Sequence, residues 1–225
     1  MGACEASPRL ATGRESRWGE GKTMRLFDLK AGMNPRRVRI FLAEKGIEVP
    51  VNSIDMMKGE NRTPEFLKLN PLGTLPVLEL DDGMILTESV AICRYFEFLK
   101  PEPNLFGREG LEQALVEMWN RRVELELMRP IAEQFRHLSP FWKGQLTQLP
   151  DYGEAQRSRS SQVMEWLDRE LATRPFIAGD RYSIADITTQ CALVLGKNTG
   201  APIPEGLHNL MRWWDLVSAR PTARA

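Results

Sequence analysis

Residues 70–95 read NPLGTLPVLELDDGMILTESVAICRY, and this stretch decides the fold of the chain. The apolar run VLEL predicts a short strand, and the DDG that follows it is typical of a hairpin turn before a return strand. Glu88 and Ser89 then open a helix in which apolar residues recur at helical spacing. The stretch therefore predicts a loop, a strand, a turn, a second strand and a helix.

Two features of this stretch bear on chemistry. Pro76 cannot donate to a sheet ladder and suits a strand entry, and a cis Leu75–Pro76 bond would turn the Leu75 backbone outward. At the helix start, free N–H groups and the Ser89 hydroxyl favour a carboxylate, and the Glu88 carboxylate favours an ammonium. These groups fit the zwitterionic end of an amino acid. An alternative is that Pro76 only shapes the loop and Ser89 only caps the helix.

The residues upstream of this stretch complete a small domain. Strands are predicted at 25–29 and 49–54, with a helix after Pro35 that Asn34 caps. Thr63-Pro64 repeats this cap-plus-proline start before a short helix at 65–69. The resulting order, βαβαββα, is that of an α/β thioredoxin-like domain, a mixed sheet with helices on both faces. Dithiol oxidoreductases place Cys-x-x-Cys at the first strand–helix turn, but that turn reads GMNP here. Either the site is inactive or the sulfur belongs to a bound ligand.

The second half of the chain predicts an all-α domain. A Pro-rich linker at 101–108 divides a first domain at 24–100 from a helical domain at 109–225, whose first long helix bends near Pro130. Ser183 and Asp186 form a capping box, which we interpret as structural. Residues 1–23 are polar and without periodicity, so we expect them to be a disordered extension.

Composition limits the classes of partner. Thirty basic and thirty acidic residues cancel, which argues against nucleic acid or an anionic membrane as a partner. No apolar run approaches the ~20 residues that span a bilayer. Three cysteines do not make a disulfide framework, so a reducing, cytoplasmic location fits best, with Cys93 and Cys191 buried as packing residues. No cluster of metal ligands appears in the sequence, and no metal is expected.

Three segments in order resemble the soluble glutathione S-transferases: residues 70–95, the upstream NPRRVRIFLAEKGIEVPVNSIDMMKGENRTPEFLKLNP and the downstream FIAGDRYSIADI. The first matches the NP-x-G-x-V-P loop, hairpin and ES-x-A-I helix of that family. The resemblance covers nearly the whole chain from Met24 onward. The first turn is similar to the bacterial type with a Ser/Asn-like pattern, S-P-N-x-R-K-V.

The resemblance implies a glutathione site. Asn34 is the implied catalytic residue, because its amide can donate to the glutathione sulfur at the start of the first helix. The implied glutathione-binding residues are Asn61, Arg62, Leu75, Pro76, Glu88 and Ser89. In this family, the Leu75 position pairs its backbone with the cysteinyl unit, while Glu88 and Ser89 hold the γ-glutamyl amino and carboxylate groups. Gly32 stands where the family has serine, and Thr74 where lysine is frequent.

The implied function is a glutathione transferase. Glutathione would be the co-substrate, conjugated to a small hydrophobic electrophile in an apolar cleft or used to reduce disulfides and peroxides. Met33, Met118, Trp119 and Arg122 are candidate walls of that cleft, although a Met or Trp at helical spacing is more often a core residue. The family is typically a homodimer, and we expect the same here. Two alternatives remain, a glutathione-dependent isomerase or dehalogenase, and a non-catalytic interaction protein of the same fold.

Overall fold

The computed structural model describes residues 24–225, so the expectation for residues 1–23, which include Cys4, lies outside it. A four-stranded mixed sheet has the order β2-β1-β3-β4, in which β1 is parallel to β2 and the other pairs are antiparallel. The strands are β1 Arg25–Asp28, β2 Val51–Ser53, β3 Val77–Glu79 and β4 Ile85–Thr87. The predicted thioredoxin-like domain is confirmed.

Three helices accompany the sheet, α1 Met33–Lys45, α2 Pro64–Leu69 and α3 Ser89–Leu99. Two 3-10 turns, Met56–Lys58 and Glu60–Arg62, precede α2. Thr63 caps α2 as predicted, since its hydroxyl accepts from the Phe66 N–H. The predicted cap of α1 was wrong. Gly32 occupies the N-cap position and Asn34 lies inside the first turn, so its side chain is free for another partner.

The remaining helices form an all-α unit, as predicted: α4 Gly110–Val123, α5 Arg129–Leu138, α6 Pro150–Glu170, α7 Ile184–Thr199 and α8 His208–Ser218. We call the sheet with α1–α3 the sheet domain and α4–α8 the helical domain. A π-helical turn, Glu124–Met128, joins α4 to α5 immediately before Pro130. Proline cannot donate within a helix and crowds the preceding turn, which explains the irregularity at the expected bend. Further 3-10 turns are Pro140–Trp142 and Pro221–Arg224.

The main core joins the two domains. Leu26 and Leu78 of the sheet, Phe41 of α1 and Ile187 of α7 are all fully buried in one apolar cluster. Trp119 also belongs to this core, stacked on Trp166 at 5.2 Å between ring centroids. Trp119 is therefore a core residue, the alternative that its helical spacing favours over a cleft wall. Across residues 24–225, none of the helices combines the length and the apolar character needed to cross a bilayer.

The capping box of α7 is present. The Ser183 hydroxyl accepts from the Ala185 N–H (3.3 Å), and the Asp186 carboxylate accepts from the Ser183 N–H (2.9 Å). Asp186 also accepts from the Ile177 N–H at 2.9 Å and from Trp213 Nε1 at 2.8 Å. One buried carboxylate thus holds the loop before α7, the start of α7 and the side of α8.

A buried lysine holds the segment between the domains. Lys45 Nζ, at the end of α1, donates to the carbonyl oxygens of Lys100 (2.9 Å), Pro101 (3.1 Å) and Pro103 (2.6 Å). The Glu97 carboxylate lies 2.5 Å from the same nitrogen. Lys45 therefore fixes the predicted linker against the sheet domain.

Candidate functional site

The β3–β4 register brings the two chemically interesting parts of residues 70–95 together. Val77 pairs with Thr87, so the antiparallel pairing places Leu75 and Pro76 beside Glu88 and Ser89. The Leu75–Pro76 bond is cis. In the part of the chain that the structure describes, the Leu75 N–H and C=O have no hydrogen-bond partner. A free strand-like edge of backbone therefore lies next to the start of α3.

The loop before Leu75 is held by side chains from the 3-10 turn that ends at Arg62. Asn61 is buried and its Nδ2 donates to the Gly73 carbonyl (2.8 Å), while Arg62 Nη1 donates to the Leu72 carbonyl (3.2 Å). Gly73 has φ 63°, and a Cβ there would lie 2.7 Å from Arg62 Nη1. Asn61 thus supports the loop from inside, whereas the exposed Arg62 lies at its surface.

A missed residue organises the same loop. Asn70 is buried, and its Nδ2 donates to the Thr74 carbonyl at 2.8 Å and to the Thr74 hydroxyl at 2.9 Å. Its Oδ1 accepts from the Leu72 N–H at 3.1 Å. The side chain therefore closes the NPLGT turn, and the Asn-Pro pair in the sequence is the pattern that could have revealed it.

Glu88 and Ser89 differ sharply in environment. Glu88 has φ 64° and ψ 111°, is exposed, and its carboxylate pairs with no other side chain within residues 24–225. Such a conformation costs on the order of 1–3 kcal/mol for a residue other than glycine and is concentrated at functional sites. Ser89 is buried at the first position of α3. The strained backbone therefore directs a free carboxylate outward beside a shielded hydroxyl.

Asn34 and Ser89 meet through one guanidinium. Arg37 Nη1 donates to Ser89 Oγ at 2.6 Å and to Asn34 Oδ1 at 3.1 Å. Arg37 is only 1% exposed, although arginine is almost never fully buried without partners. The first turn of α1 and the start of α3 thus converge on the same buried cation.

The helical domain supplies the other partners of Arg37. Its Nε donates to Thr188 Oγ1 of α7 (3.0 Å), and its Nη2 donates to Met128 Sδ (3.1 Å). Glu124, at the start of the π-helical turn, lies 3.3 Å from Nη2 and balances the charge. The candidate site is therefore built on a polar connection between the two domains.

The sequence contained a pattern that could have revealed Arg37. Arg37, Phe41 and Lys45 are four residues apart, so they share one face of α1, and all three are buried. A charged residue on an apolar helix face requires a polar partner from elsewhere in the fold. The partners Glu124 and Thr188 carry no comparable local pattern.

Gly32 lacks room for a side chain in this backbone. A Cβ there would lie 2.9 Å from Pro35 Cδ and 3.1 Å from the Leu29 carbonyl oxygen. The loop would therefore have to shift before it could accept the serine found at this position in related patterns. Asn34 is consequently the polar side chain that this turn offers to a ligand.

Cys93 and Cys191, the two cysteines within residues 24–225, are both buried. Burial raises the pKa of the Cys191 thiol to about 11, and it raises the pKa of the Cys93 thiol further still. Both are free and fully packed, as predicted, so they stay protonated at neutral pH. Within the described residues, no three His, Cys, Asp or Glu side chains lie close enough to hold a metal ion.

The arrangement suits a small anionic peptide. The start of α1 and the start of α3 both present free backbone N–H groups, and such helix ends attract anions. A free backbone edge at Leu75 can pair with an extended ligand in the manner of an added strand. The free Glu88 carboxylate can hold an ammonium group. A thiol placed near Asn34 would find an amide donor in a turn that contains no cysteine of its own.

Comparisons with known proteins agree with this geometry. Family models for the glutathione S-transferase N-terminal domain and C-terminal domain match residues 33–98 and 138–221. Glutathione S-transferase 2 of Saccharomyces cerevisiae is 38% identical over 205 residues, covering 89% of this chain and 88% of that protein. Elongation factor 1-gamma of Prunus avium is 34% identical over 167 residues, which are 74% of this chain and 38% of that protein.

The fold comparison gives the same result. The crystal structure of Gtt2 from Saccharomyces cerevisiae superposes with a TM-score of 0.84 at 38% identity, over 89% of this chain and 98% of that one. High identity along nearly the full length of both chains confirms the resemblance carried by the three sequence segments. The chain belongs to the glutathione S-transferase family.

Proposed function

We propose that the protein is a glutathione transferase that binds glutathione, stabilises its thiolate and conjugates it to small hydrophobic electrophiles. The observation that carries this proposal is the free Leu75 backbone beside Glu88 and Ser89, with Asn34 held across from them in a turn without cysteine. The γ-glutamyl amino group would bind Glu88, and its carboxylate would bind Ser89. Asn61, Arg62 and Pro76 would shape the loop that receives the rest of the peptide.

The proposed chemistry depends on ionising the thiol of bound glutathione, since the site has no cysteine at its first turn. A free thiol with a pKa near ~8.5 is only a few per cent thiolate at neutral pH. The Asn34 amide and the α1 start would favour the anion and lower that pKa. Positioning two reactants together supplies the remaining acceleration. Reduction of disulfides or peroxides, isomerisation and dehalogenation would use the same thiolate.

A second candidate is a non-catalytic interaction protein. The similarity to an elongation factor 1-gamma and the glycine at position 32 favour it. The two candidates differ in glutathione binding, because a protein that acts only through interactions has no need of a glutathione-binding site. Retention on immobilised glutathione, followed by assays with halonitroarenes, hydroperoxides, disulfides and maleyl-type isomers, separates them. A folded protein that does not bind glutathione would favour the interaction module.

Ser89→Ala should weaken glutathione binding by about 1–3 kcal/mol, because a buried donor to a carboxylate is lost. This corresponds to roughly a 5–150-fold higher Kd. Isothermal titration measures it directly. Ser160→Ala is the matched control, since Ser160 is buried and, among residues 24–225, its hydroxyl bonds only to the Arg157 carbonyl of its own helix. Equal affinity of the Ser89 variant and the wild type would remove Ser89 from the site.

Asn34→Ala should lower turnover at neutral pH by about 10–100-fold, while glutathione affinity changes much less. The Asn34 amide contacts only the sulfur of glutathione. Affinity changes little because the rest of the peptide still makes its own contacts. The difference in rate should shrink as pH rises, because hydroxide then ionises the thiol without help. Initial rates across a pH series check this, and a pH-independent ratio of rates would contradict the assignment.

We also propose a homodimer. Phe98 is 83% exposed and Leu111 is 76% exposed, and Leu99 and Leu115 are exposed as well. The Arg94–Glu117 ion pair (2.7 Å) joins α3 to α4, the two helices that carry these exposed apolar side chains. Phe98→Glu should convert the dimer to a monomer in sedimentation experiments, whereas Phe141→Glu, an exposed aromatic on another surface, should not. A wild-type monomer at micromolar concentration would refute the assembly.

The three cysteines support a further proposal, that the protein works in the cytoplasm.

A further inference from the structure

Arg37 does not face a ligand directly, because its own nitrogens are already engaged. Nε bonds to Thr188, Nη1 bonds to Asn34 and Ser89, and Nη2 contacts Met128 and Glu124. Thr188 in turn donates to Asn120 Oδ1 at 2.6 Å, so its hydroxyl oxygen is oriented toward Arg37. The helical domain therefore fixes the plane of the guanidinium, and the guanidinium has no freedom to adjust.

A guanidinium can only donate, and this decides the orientation of both neighbours. Asn34 has to present its Oδ1 to Arg37, so its Nδ2 donor faces away from Arg37. Ser89 has to accept from Arg37, so its own hydrogen is left for another acceptor. We propose that Arg37 is a positioning residue. It directs the Asn34 amide donor toward the glutathione sulfur and the Ser89 hydroxyl donor toward the γ-glutamyl carboxylate.

This inference rests on the proposed function and deepens it. Without Arg37, the Asn34 amide can rotate and present oxygen, which repels a thiolate. The Ser89 hydroxyl can likewise turn its hydrogen toward another acceptor instead of the ligand. Lysine keeps the charge, but a single ammonium cannot reproduce the planar fork that bonds to Thr188 on one side and to Asn34 and Ser89 on the other.

The first test is Arg37→Lys, with Arg39→Lys as the matched control on the same helix. Arg39 pairs with Asp28 at 2.5 Å and donates to the Lys30 carbonyl at 2.8 Å, but it contacts neither Asn34 nor Ser89. Lysine keeps the charge beside Asp28, so the control should bind glutathione as the wild type does. Arg37→Lys should raise the Kd about tenfold and raise the pKa of the bound glutathione thiol, read from thiolate ultraviolet absorbance. Unchanged Kd and thiol pKa in a folded Arg37→Lys protein would overturn the inference.

Coupling distinguishes positioning from general support of the fold. In a Ser89→Ala background, Arg37→Lys should raise the Kd by no more than about two- to threefold, because the hydroxyl it orients is gone. The same tenfold rise in both backgrounds would show that Arg37 does not act through Ser89 and would overturn the inference. If the wild type binds no glutathione, there is no Kd to compare, and the proposed function itself fails.

Asn34→Asp is the second test, and it applies even if the Arg37→Lys protein does not fold. It asks whether Nδ2 of Asn34 faces the glutathione sulfur. This change leaves Arg37 in place and strengthens its bond at Oδ1, but it replaces the amide donor with a carboxylate oxygen. The bound thiol pKa should rise by at least about one pH unit and turnover at neutral pH should fall about tenfold, with no loss of thermal stability. An unchanged thiol pKa would show that Nδ2 does not face the sulfur and would overturn the inference.

Discussion

Asp186→Ala should lower the free energy of unfolding by about 3–5 kcal/mol. The carboxylate is fully buried and accepts from the Ile177 N–H, the Ser183 N–H, the Ser183 hydroxyl and Trp213 Nε1. Removing it takes this acceptor from four buried donors, and each donor left unpaired costs on the order of 1–3 kcal/mol. Urea denaturation monitored by circular dichroism measures the loss.

Ser183→Ala is the reference variant against which the loss of stability in Asp186→Ala is compared. It removes one cap of α7 and should cost only about 0.5–2 kcal/mol. The difference between the two variants reports the part of Asp186 that acts beyond the capping box, on Ile177 and on Trp213. Equal losses in both variants would show that Asp186 acts only as a helix cap.

Asp186 should also make stability depend on pH. Burial raises the pKa of this carboxyl from 3.8 to about 6, since desolvation outweighs its hydrogen bonds. The folded protein then holds a proton that the unfolded chain has already released. The stabilising contribution is complete below about pH 4 and declines as pH rises through about 6, by roughly 3 kcal/mol. The stability of the wild type relative to Asp186→Asn should follow this decline, and a pH-independent difference would contradict it.

Lys45→Met should lower the free energy of unfolding by about 3 kcal/mol or more, because it leaves the shielded Glu97 carboxylate without its cation. Three carbonyls of residues 100–103 would also lose their donor. Methionine keeps most of the apolar stem, so the loss reports the ammonium and not the packing. Chemical denaturation measures it.

Lys100→Met is the matched control for Lys45. Lys100 is exposed, and its Nζ bonds to the Gly46 carbonyl at 3.4 Å and to no other group in the described part of the chain. The free energy of unfolding should therefore change by no more than about 0.5 kcal/mol. A similar loss of unfolding free energy in both variants would mean that the buried contacts of Lys45 do not stabilise the fold. A large loss confined to Lys45 would establish the lysine as the link between α1 and the predicted linker.

Local patterns predicted most of the fold. The DDG turn and its flanking strands, the Thr63-Pro64 helix start and the box at Ser183 each depend on residues within a few positions of one another. Their hydrogen bonds form inside a single turn or hairpin, so a short window of sequence is enough to specify them. The exception was the start of α1, where a glycine cap carries no polar side chain to mark the boundary.

Distant partners decided the rest. Arg37 bonds to Ser89 across 52 positions and to Thr188 across 151, and Asp186 reaches Trp213 across 27. The sequence alone determined that this is a thioredoxin-like glutathione S-transferase fold with no cysteine at its first turn. Only the tertiary structure decided that a buried arginine joins Asn34 to Ser89, because its partners come together when the two domains pack, and no periodicity along the chain records that contact.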